Sequence, residues 1–368
     1  MRWSALPSMR WCGVGGVSGP RRGIGEPDAL HLVLLLLACT PASAAAESLT
    51  LTGRAMGTTW SVKFLQPAAP FDRAAFAQKI SGRLEQLEQQ FSTYRPAAEL
   101  ARFNAAPSTD WIPVSPELAR VAVESRRISE LTGGAFDATV APLVHLWGFG
   151  PQRHPGTLPS DPAIGAARDR VDYRRLEVRL SPPTLRKHRP DLAADFSSMA
   201  KGFAADAVGE LLVSLGAPNH FVQLGGDVRT GGRTTDGAAW RAGIEEPDER
   251  GGTIACVVAL ADQALSTSGD ARNFFLSTGR RYGHIIDPRT GRPAGGALAS
   301  VSVVHASCAT SSALATALFV LGADAGFAFA ERQHLAGLFI VRDGDKFTAH
   351  ATTEFQHRLS SAHFTDFK

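Results

Sequence analysis

The chain has 368 residues, of which 44% are hydrophobic and 20% are charged, a composition typical of a globular protein with one large domain or two lobes. The formal net charge of +3 falls to +1 when the four basic and two acidic residues of the first 44 are set aside. That near-neutral balance predicts no nucleic-acid partner.

Residues 1–44 have the pattern of an export signal. Several arginines precede a short apolar run at 32–38, and Pro41-Ala-Ser-Ala44 is a small-residue cleavage pattern. The apolar run is shorter than a membrane-spanning helix needs. Leu36-Leu-Ala-Cys39 also resembles a bacterial lipoprotein signal, which leaves a lipid anchor open. We expect an exported, periplasmic protein, either unanchored or held at the inner membrane.

Two cysteines, Cys256 and Cys308, remain after cleavage at this site. An oxidising compartment would allow them to pair. Each lies in an apolar stretch, however, where buried free thiols are common. We therefore favour two free thiols over a disulfide.

The first elements after the leader are predicted from their spacing. Residues 49–64 contain two β-prone runs interrupted by a glycine, which predicts a hairpin. Apolar residues recur at helical spacing in 71–91 and again in 115–131, so each is predicted to form a helix. Residues 150–165 are rich in Pro and Gly and are typical of a surface excursion between lobes.

The rest of the chain alternates irregularly between the two kinds of element. Strands are expected at 176–180, 221–224, 240–244, 253–260, 299–305 and 336–341, and helices at 201–215 and 311–331. This order predicts a mixed α+β fold. The last residues, 357–368, form a polar tail.

The stretch from Asp195 to Asp227 is the most suggestive part of the sequence. An acidic residue, two hydroxyls and Lys201 stand at the mouth of a helix, and Gly225-Gly226 allows the chain to turn closely past a ligand. This pattern indicates a site for a phosphate-bearing ligand. An ordinary capped helix followed by a glycine turn explains the same spacing equally well.

Two further segments carry candidate chemistry. The turn Asp287-Pro-Arg-Thr-Gly291 would end a strand and set His284 near the strand end, as a base or as a structural histidine. Ser312 and Thr316 are spaced i, i+4 on one helical face, so two oxygens converge there. Alternatively, Ser311 or Ser312 caps the helix and Thr316 bonds its own backbone.

Taken together, these segments resemble the ApbE family, the FAD:protein FMN transferases, and the order and spacing of the motifs make the resemblance specific. It covers nearly the whole chain after the leader. The motifs that carry it are Met56-Gly-Thr, Ser92-Thr-Tyr94, Gly134-Ala-Phe-Asp137-Ala-Thr139, Ala200-Lys201-Gly202-Phe-Ala-Ala-Asp206, Gly225-Gly226-Asp227, Ser268-Gly269-Asp270, His284-Ile-Ile-Asp287-Pro-Arg-Thr-Gly291 and Ala313-Leu-Ala-Thr316-Ala-Leu-Phe-Val-Leu-Gly322.

The resemblance implies one transferase domain over residues 45–356, with two associated lobes of tunnelling-fold-like architecture and FAD in the cleft between them. Its activity would be the Mg²⁺-dependent transfer of FMN from FAD to a Ser or Thr hydroxyl of a partner flavoprotein, with release of AMP. Relatives modify subunits of Rnf-type or Nqr-type quinone reductases and regulators of nitrous oxide respiration, and the acceptor here would be of these types.

Site residues follow from the same resemblance. His284 is the candidate for activating the acceptor hydroxyl. Magnesium would take the main-chain carbonyl of Ser198 and the side chains of Ser312 and Thr316. The residues expected to contact FAD are Met56, Tyr94, Ala135, Phe136, Asp137, Asp195, Lys201 and Ile286.

Three positions depart from the family pattern, and one of them bears on mechanism. The family usually has an aromatic residue at Ala271 and Ser at Ala98, but it also usually has Asp at Ser312, and hard divalent cations favour charged oxygen ligands. A protein that keeps FAD but has lost transfer, serving as a carrier or assembly factor of a respiratory complex, is therefore the alternative. Asp206 and Asp227 are expected to hold backbone or to lie behind the ligands.

Overall fold

The computed structural model describes residues 48–67, 71–150, 158–344 and 346–358, all of which fall in one structural unit. The predicted leader at 1–44, with Cys39, lies outside the described residues, as does most of the predicted polar tail. Within the described part of the chain, no helix combines the length and apolar character that crossing a membrane requires.

The described residues form α-helices, β-strands and a short 3-10 turn at Tyr173–Arg175. The helices of the described residues are α1 Arg73–Phe91, α2 Glu99–Ala105, α3 Pro116–Leu131, α4 Ala141–Leu146, α5 Asp161–Arg168, α6 Ser197–Ser214, α7 Cys308–Leu321, α8 Ala323–Arg332 and α9 Thr353–Gln356.

The strands are β1 Ser48–Ala55, β2 Thr58–Leu65, β3 Ile112–Pro113, β4 Leu176–Leu180, β5 Pro183–Lys187, β6 His220–Leu224, β7 Asp227–Gly231, β8 Trp240–Glu245, β9 Ile254–Leu260, β10 Ala264–Gly269, β11 Phe274–Ser277, β12 Arg280–Gly283, β13 Ile286–Asp287, β14 Arg292–Pro293, β15 Leu298–His305, β16 Ala336–Asp343 and β17 Lys346–Ala351. With the helices above, they confirm the α+β class.

One eight-stranded sheet organises the molecule. Its order is β1-β2-β6-β7-β10-β15-β16-β17, and every neighbouring pair is antiparallel. β6 and β7 form a tight hairpin in which Leu224 pairs with Asp227. β7 then pairs with β10, which is more distant in sequence. The sheet therefore brings Asp227 beside a segment that the sequence keeps far from it.

Both faces of the sheet are covered, which explains why β15 is buried along most of its length. The helices α6 and α7 pack on one face and on each other. The β8–β9 hairpin covers the opposite face. Side chains along β16 alternate between the two faces of the sheet. Phe339 packs in the helical core, whereas Leu338 and Ile340 pack in the core under the hairpin.

Several predicted elements are confirmed, but one helix is not. The predicted helix at 311–331 is wrong as a single element, because α7 ends before Gly322 and α8 begins after it. Gly322 has φ of +84°, and its N–H bonds the carbonyls of Leu318 and Phe319, which closes α7. Helical spacing of apolar residues continues across the break and hides it.

The segment predicted at 150–165 as a surface excursion is partly helical. Residues 151–157 lie outside the described part. Ser160 caps α5, and Ile164 of that helix is buried in a small core with Leu143 and Ile286. The end of this segment therefore packs against the candidate site rather than over the surface.

Cys256 and Cys308 are both free and buried, which confirms the preference for free thiols. Cys256 lies in the core under the β8–β9 hairpin, and Cys308 lies in the helical core on the other face of the sheet. Because the sheet separates them, they are not placed to pair. Burial raises the pKa of the Cys256 thiol to about 11 and raises that of Cys308 as well.

Close contact between α6 and α7 depends on Gly202. A Cβ at this position would lie 2.5 Å from the carbonyl oxygen of Cys308, which is backbone and cannot move aside easily. We expect Gly202→Ala to lower the free energy of unfolding by about 1–3 kcal/mol, measured by thermal or urea unfolding.

Gly82→Ala is the matched control, because Gly82 is exposed in α1 and an added Cβ meets nothing within 4 Å. This change should stabilise the helix by about 0.5–1 kcal/mol. Equal shifts in the two variants would contradict the close packing of α6 on α7.

Candidate functional site

A cleft of about 1480 Å³ opens beside the sheet, and all twelve residues named above as site residues line it. They come from the β1–β2 turn, the end of α1, the loop before α4, the start of α6, the segment after β12, and α7. The chain order of these elements gives no hint that they meet. Their convergence is a result of the sheet topology.

The β1–β2 turn forms one wall of the cleft. Met56 has φ of +51°, a left-handed conformation uncommon for a residue with a side chain. Its N–H donates to Oε2 of Glu88 (3.0 Å), and the other carboxylate oxygen pairs with Arg95. Glu88 therefore fixes the turn that carries Met56. Sequence analysis did not identify Glu88 as a site residue. Tyr94, which follows α1, is 63% exposed.

The loop at 135–139 is shaped by a buried carboxylate. Oδ1 of Asp137 accepts hydrogen bonds from the N–H and hydroxyl of Thr139, and Oδ2 accepts from the N–H of Tyr173 (2.9 Å). Burial raises the pKa of Asp137, and these donors oppose that rise. Because the side chain is occupied inside the loop, the part of Ala135 to Asp137 left for a ligand is mainly backbone.

At the start of α6, the acidic residue organises the helix mouth. Asp195 accepts from the N–H and hydroxyl of Ser197, and its own N–H donates to the carbonyl of Ala138 (2.6 Å). This last bond ties the helix mouth to the 135–139 loop. Nζ of Lys201 donates to the carbonyl of Ser197 (3.3 Å) and faces the cleft. The helix begins at Ser197, earlier than predicted, so the two hydroxyls and Lys201 lie within its first turns and Asp195 stands just before it.

The Gly225-Gly226 turn passes close to Lys201. Both glycines have positive φ, +60° and +104°, and a Cβ on Gly225 would lie 3.1 Å from Cδ of Lys201. Asp227 follows the turn. The residue is 5% exposed and lines the cleft, with the hydroxyls of Ser266 and Ser312 near its carboxyl group. Burial raises the pKa of Asp227, whereas Lys201 and the two hydroxyls lower it.

Two of the residues predicted to bind metal lie together on α7. Oγ1 of Thr316 bonds the carbonyl of Ser312 (3.1 Å), as the alternative explanation from sequence required, and also lies 3.1 Å from Oγ of Ser268. Neither Ser311 nor Ser312 caps the helix, because Ser307 does so. The Ser312 side chain lies near Asp227 and lowers the pKa of its carboxyl group.

Asp206 holds the start of α7 in place. Its carboxylate accepts from the N–H groups of Cys308 and Ala309 and from the hydroxyl of Ser307. These contacts place Asp206 on backbone, as expected from sequence. They also fix the position of the helix that carries Ser312 and Thr316.

His284 lies between β12 and β13, near the strand end, on the side of the cleft formed by Phe149. Its Nδ1 lies 3.1 Å from the carbonyl oxygen of Asn273, which can only accept, so Nδ1 carries the proton. Nε2 is then the basic nitrogen of the neutral ring. Burial is the main cause that lowers the pKa of His284, so the ring stays neutral to a lower pH than a free imidazole. The ring centroid of Phe149 lies 6.3 Å away in a T-shaped arrangement.

Comparisons with known proteins identify relatives of this chain. A model of the ApbE family matches residues 56–339. The FAD:protein FMN transferase of Vibrio cholerae is 40% identical over 332 residues, covering 90% of this chain and 98% of that protein. The protein of the same description from Escherichia coli K12 is 35% identical over 320 residues, with coverage of 86% and 91%.

Solved structures of ApbE proteins are also similar to this chain. The flavin transferase ApbE from Vibrio cholerae superposes with a TM-score of 0.78 at 39% identity, covering 85% of this chain and 100% of that one. The apo form of the flavinyl transferase ApbE from Pseudomonas stutzeri has a TM-score of 0.77 at 35% identity, with coverage of 85% and 97%.

Proposed function

The chain belongs to the ApbE family, and from this membership we propose that it is an FAD:protein FMN transferase, which moves FMN from FAD onto a Ser or Thr hydroxyl of a partner flavoprotein and releases AMP. The observation that carries the proposal is that an imidazole base, a lysine and a set of oxygen donors line the same cleft.

The chemistry asks for a base at the acceptor hydroxyl. As the hydroxyl oxygen forms its bond to the FMN phosphorus, the pyrophosphate bond to AMP breaks and the hydroxyl proton must leave. Nε2 of His284 is the group that would take this proton, because Nδ1 is held by the Asn273 carbonyl. The family resemblance assigns the same role to His284.

FAD is a dianion at its pyrophosphate, and the cleft offers it a cation and backbone donors. Lys201 supplies positive charge at the first turns of α6. The helix mouth held by Asp195 and the loop held by Asp137 supply fixed backbone beside it. Such groups orient the dinucleotide so that the acceptor oxygen meets phosphorus in line.

A divalent cation also fits the donors present. Among the described residues, no three His, Cys, Asp or Glu side chains gather into a metal-binding group. Ser312, Thr316 and the carbonyl of Ser198 offer only oxygen, as hard cations prefer, and the Asp227 carboxylate lines the same cleft. We propose that they hold Mg²⁺, which would neutralise charge on the pyrophosphate oxygens.

The test is transfer to an acceptor domain carrying the sequence Asp-Gly-x-Ser/Thr-Gly-Ala-Ser/Thr, in the presence of FAD and magnesium. We expect flavin fluorescence on the denatured acceptor band, and one AMP for each flavin attached. The transferase itself lacks this acceptor pattern. Acid precipitation should therefore release its own FAD, and flavin that stays on this chain after denaturation would make it an acceptor instead.

The alternative is a carrier that binds FAD but has lost transfer. One observation supports it, which is that Ser312 stands where the family pattern has a carboxylate. A carrier would bind FAD in the same cleft but leave the acceptor unlabelled at any magnesium concentration. The two proposals are separated by the Ser312→Asp comparison in the Discussion.

We also propose export to the periplasm and an acceptor of the Rnf, Nqr or nitrous-oxide-respiration type. Support for export comes from the basic, apolar and small-residue pattern of residues 1–44, with Cys39 as the candidate lipid-attachment site. Fractionation of cells expressing the full chain, with and without Cys39→Ser, would separate an anchored from an unanchored form.

A further inference from the structure

We propose that Asp227 is the charged oxygen ligand of the divalent cation in this chain, in place of the aspartate that the family pattern has at position 312. The inference rests on the proposed function for the presence of FAD and a cation. It goes further by naming which residue supplies the negative charge.

Position within the fold is the first support. The Gly225-Gly226 turn delivers Asp227 to the first position of β7, at the end of the strand that faces the cleft. The residue is 5% exposed, so its carboxylate meets the cleft from a buried position rather than from a mobile surface side chain. A buried carboxylate has little water to satisfy it and gains strongly from a cation.

Proximity to Ser312 is the second support. Sγ of Cys308, one helical turn before Ser312 on α7, lies 3.4 Å from the carbonyl oxygen of Val228, the residue after Asp227, so α7 holds the Ser312 hydroxyl near the Asp227 carboxylate at the cleft. A hydroxyl has one proton to donate and two lone pairs, so a hydroxyl that donates to a carboxylate keeps its lone pairs for a cation. A carboxylate likewise has acceptor positions beyond those that two hydroxyls would use.

Charge balance is the third support. The positive group acting most strongly on Asp227 is Lys201, which lies at the same wall of the cleft. If Asp227 served only as the counter-ion of Lys201, its removal would lower cation affinity only through the uncompensated charge of Lys201, and the cation would not lie beside residue 227. If it holds the cation, its removal leaves only neutral oxygens from the protein, and affinity falls.

The experiment measures Mn²⁺ binding to the FAD-loaded full chain by electron paramagnetic resonance, which reports the cation directly and does not depend on transfer. Asp227→Asn keeps the shape and removes the charge, and we expect it to weaken Mn²⁺ binding by about tenfold or more. Asp227→Asn combined with Ser312→Asp should regain most of the affinity. Asp236→Asn, the same change on an exposed turn outside the cleft, should bind like the wild type.

A second measurement uses the wild type alone and so does not depend on a variant that folds. Fe²⁺ with ascorbate and peroxide cuts backbone next to the bound metal, and mass spectrometry should find cuts at 226–228 and beside Ser312. Cuts near Ser312 without cuts at 226–228 would overturn the inference.

The outcomes also separate this inference from the proposed function. Unchanged Mn²⁺ affinity in Asp227→Asn, with normal FMN transfer by the wild type, overturns the role of Asp227 and leaves the transferase standing. A wild type that takes up no Mn²⁺ when loaded with FAD overturns both the role of Asp227 and the proposed magnesium site.

Discussion

His284→Ala is expected to lower FMN transfer by about a hundredfold or more while leaving FAD binding nearly intact. The Asn273 carbonyl fixes the proton on Nδ1, and Nε2 is the basic nitrogen that remains. Losing this base slows the attack of the acceptor hydroxyl without removing a contact that holds the dinucleotide. The measurement pairs a transfer rate at saturating FAD with equilibrium FAD binding by flavin fluorescence.

His188→Ala is the matched control, because His188 is an exposed imidazole whose Nε2 contacts Glu177 and which does not line the cleft. It should transfer FMN at the wild-type rate. A His284→Ala protein of normal stability and normal transfer would return His284 to a structural role.

The pH dependence of transfer follows from the same residue. The base must be neutral, and burial lowers the pKa of His284, so the ring gives up its proton at a lower pH than a free imidazole. Transfer should therefore rise through a midpoint below about pH 6.5 and stay flat above it until another group titrates. A midpoint above the free-imidazole value would contradict this environment for His284.

Much of the fold was predictable because burial leaves a period in the sequence. In α1, Phe76, Ile80, Leu84 and Leu87 recur at helical spacing, and all four are buried. The break at Gly322 was not predictable in the same way, because apolar residues keep helical spacing on both sides of it. Local backbone conformation decided that boundary.

The site, like the fold, was only partly predictable from the sequence. Resemblance to a family named the residues that line the cleft, but it gave no sign that Asp227 lies near Ser312. That proximity arises because β7 pairs with β10 and α7 packs on β10. Such proximity depends on the order of strands in the sheet, which no local spacing in the sequence records.

Ser312→Asp is expected to lower the concentration of magnesium that FMN transfer needs. The wild type should bind metal weakly without FAD, because the pyrophosphate of FAD supplies part of the charge, and so FAD should bind first. It should then need more magnesium than relatives with a carboxylate at this position. The new carboxylate in Ser312→Asp should raise metal affinity and lower the magnesium concentration that half-saturates transfer.

The effect of Ser312→Asp on metal binding should also appear in the unfolding midpoint, which needs no transfer assay. The new carboxylate at 312 would stand beside Asp227, and two buried like charges repel each other. We expect the unfolding midpoint of metal-free Ser312→Asp to lie below that of the wild type, and FAD with magnesium to raise it by more than in the wild type. Ser312→Asn introduces a side chain of nearly the same size as aspartate but without its charge, and it should show neither effect.

Titration of magnesium against FMN transfer, with wild type, Ser312→Asp and Ser312→Asn side by side, decides between the remaining proposals. Transfer by the wild type that saturates at higher magnesium than Ser312→Asp supports an active transferase with a neutral oxygen at 312. If the wild type transfers nothing at saturating magnesium while Ser312→Asp does, the carrier alternative is correct, because the cleft then binds FAD but lacks the charge that transfer requires. If both saturate at the same low concentration, Ser312 does not lie at the metal, and the family correspondence for α7 is wrong at this position.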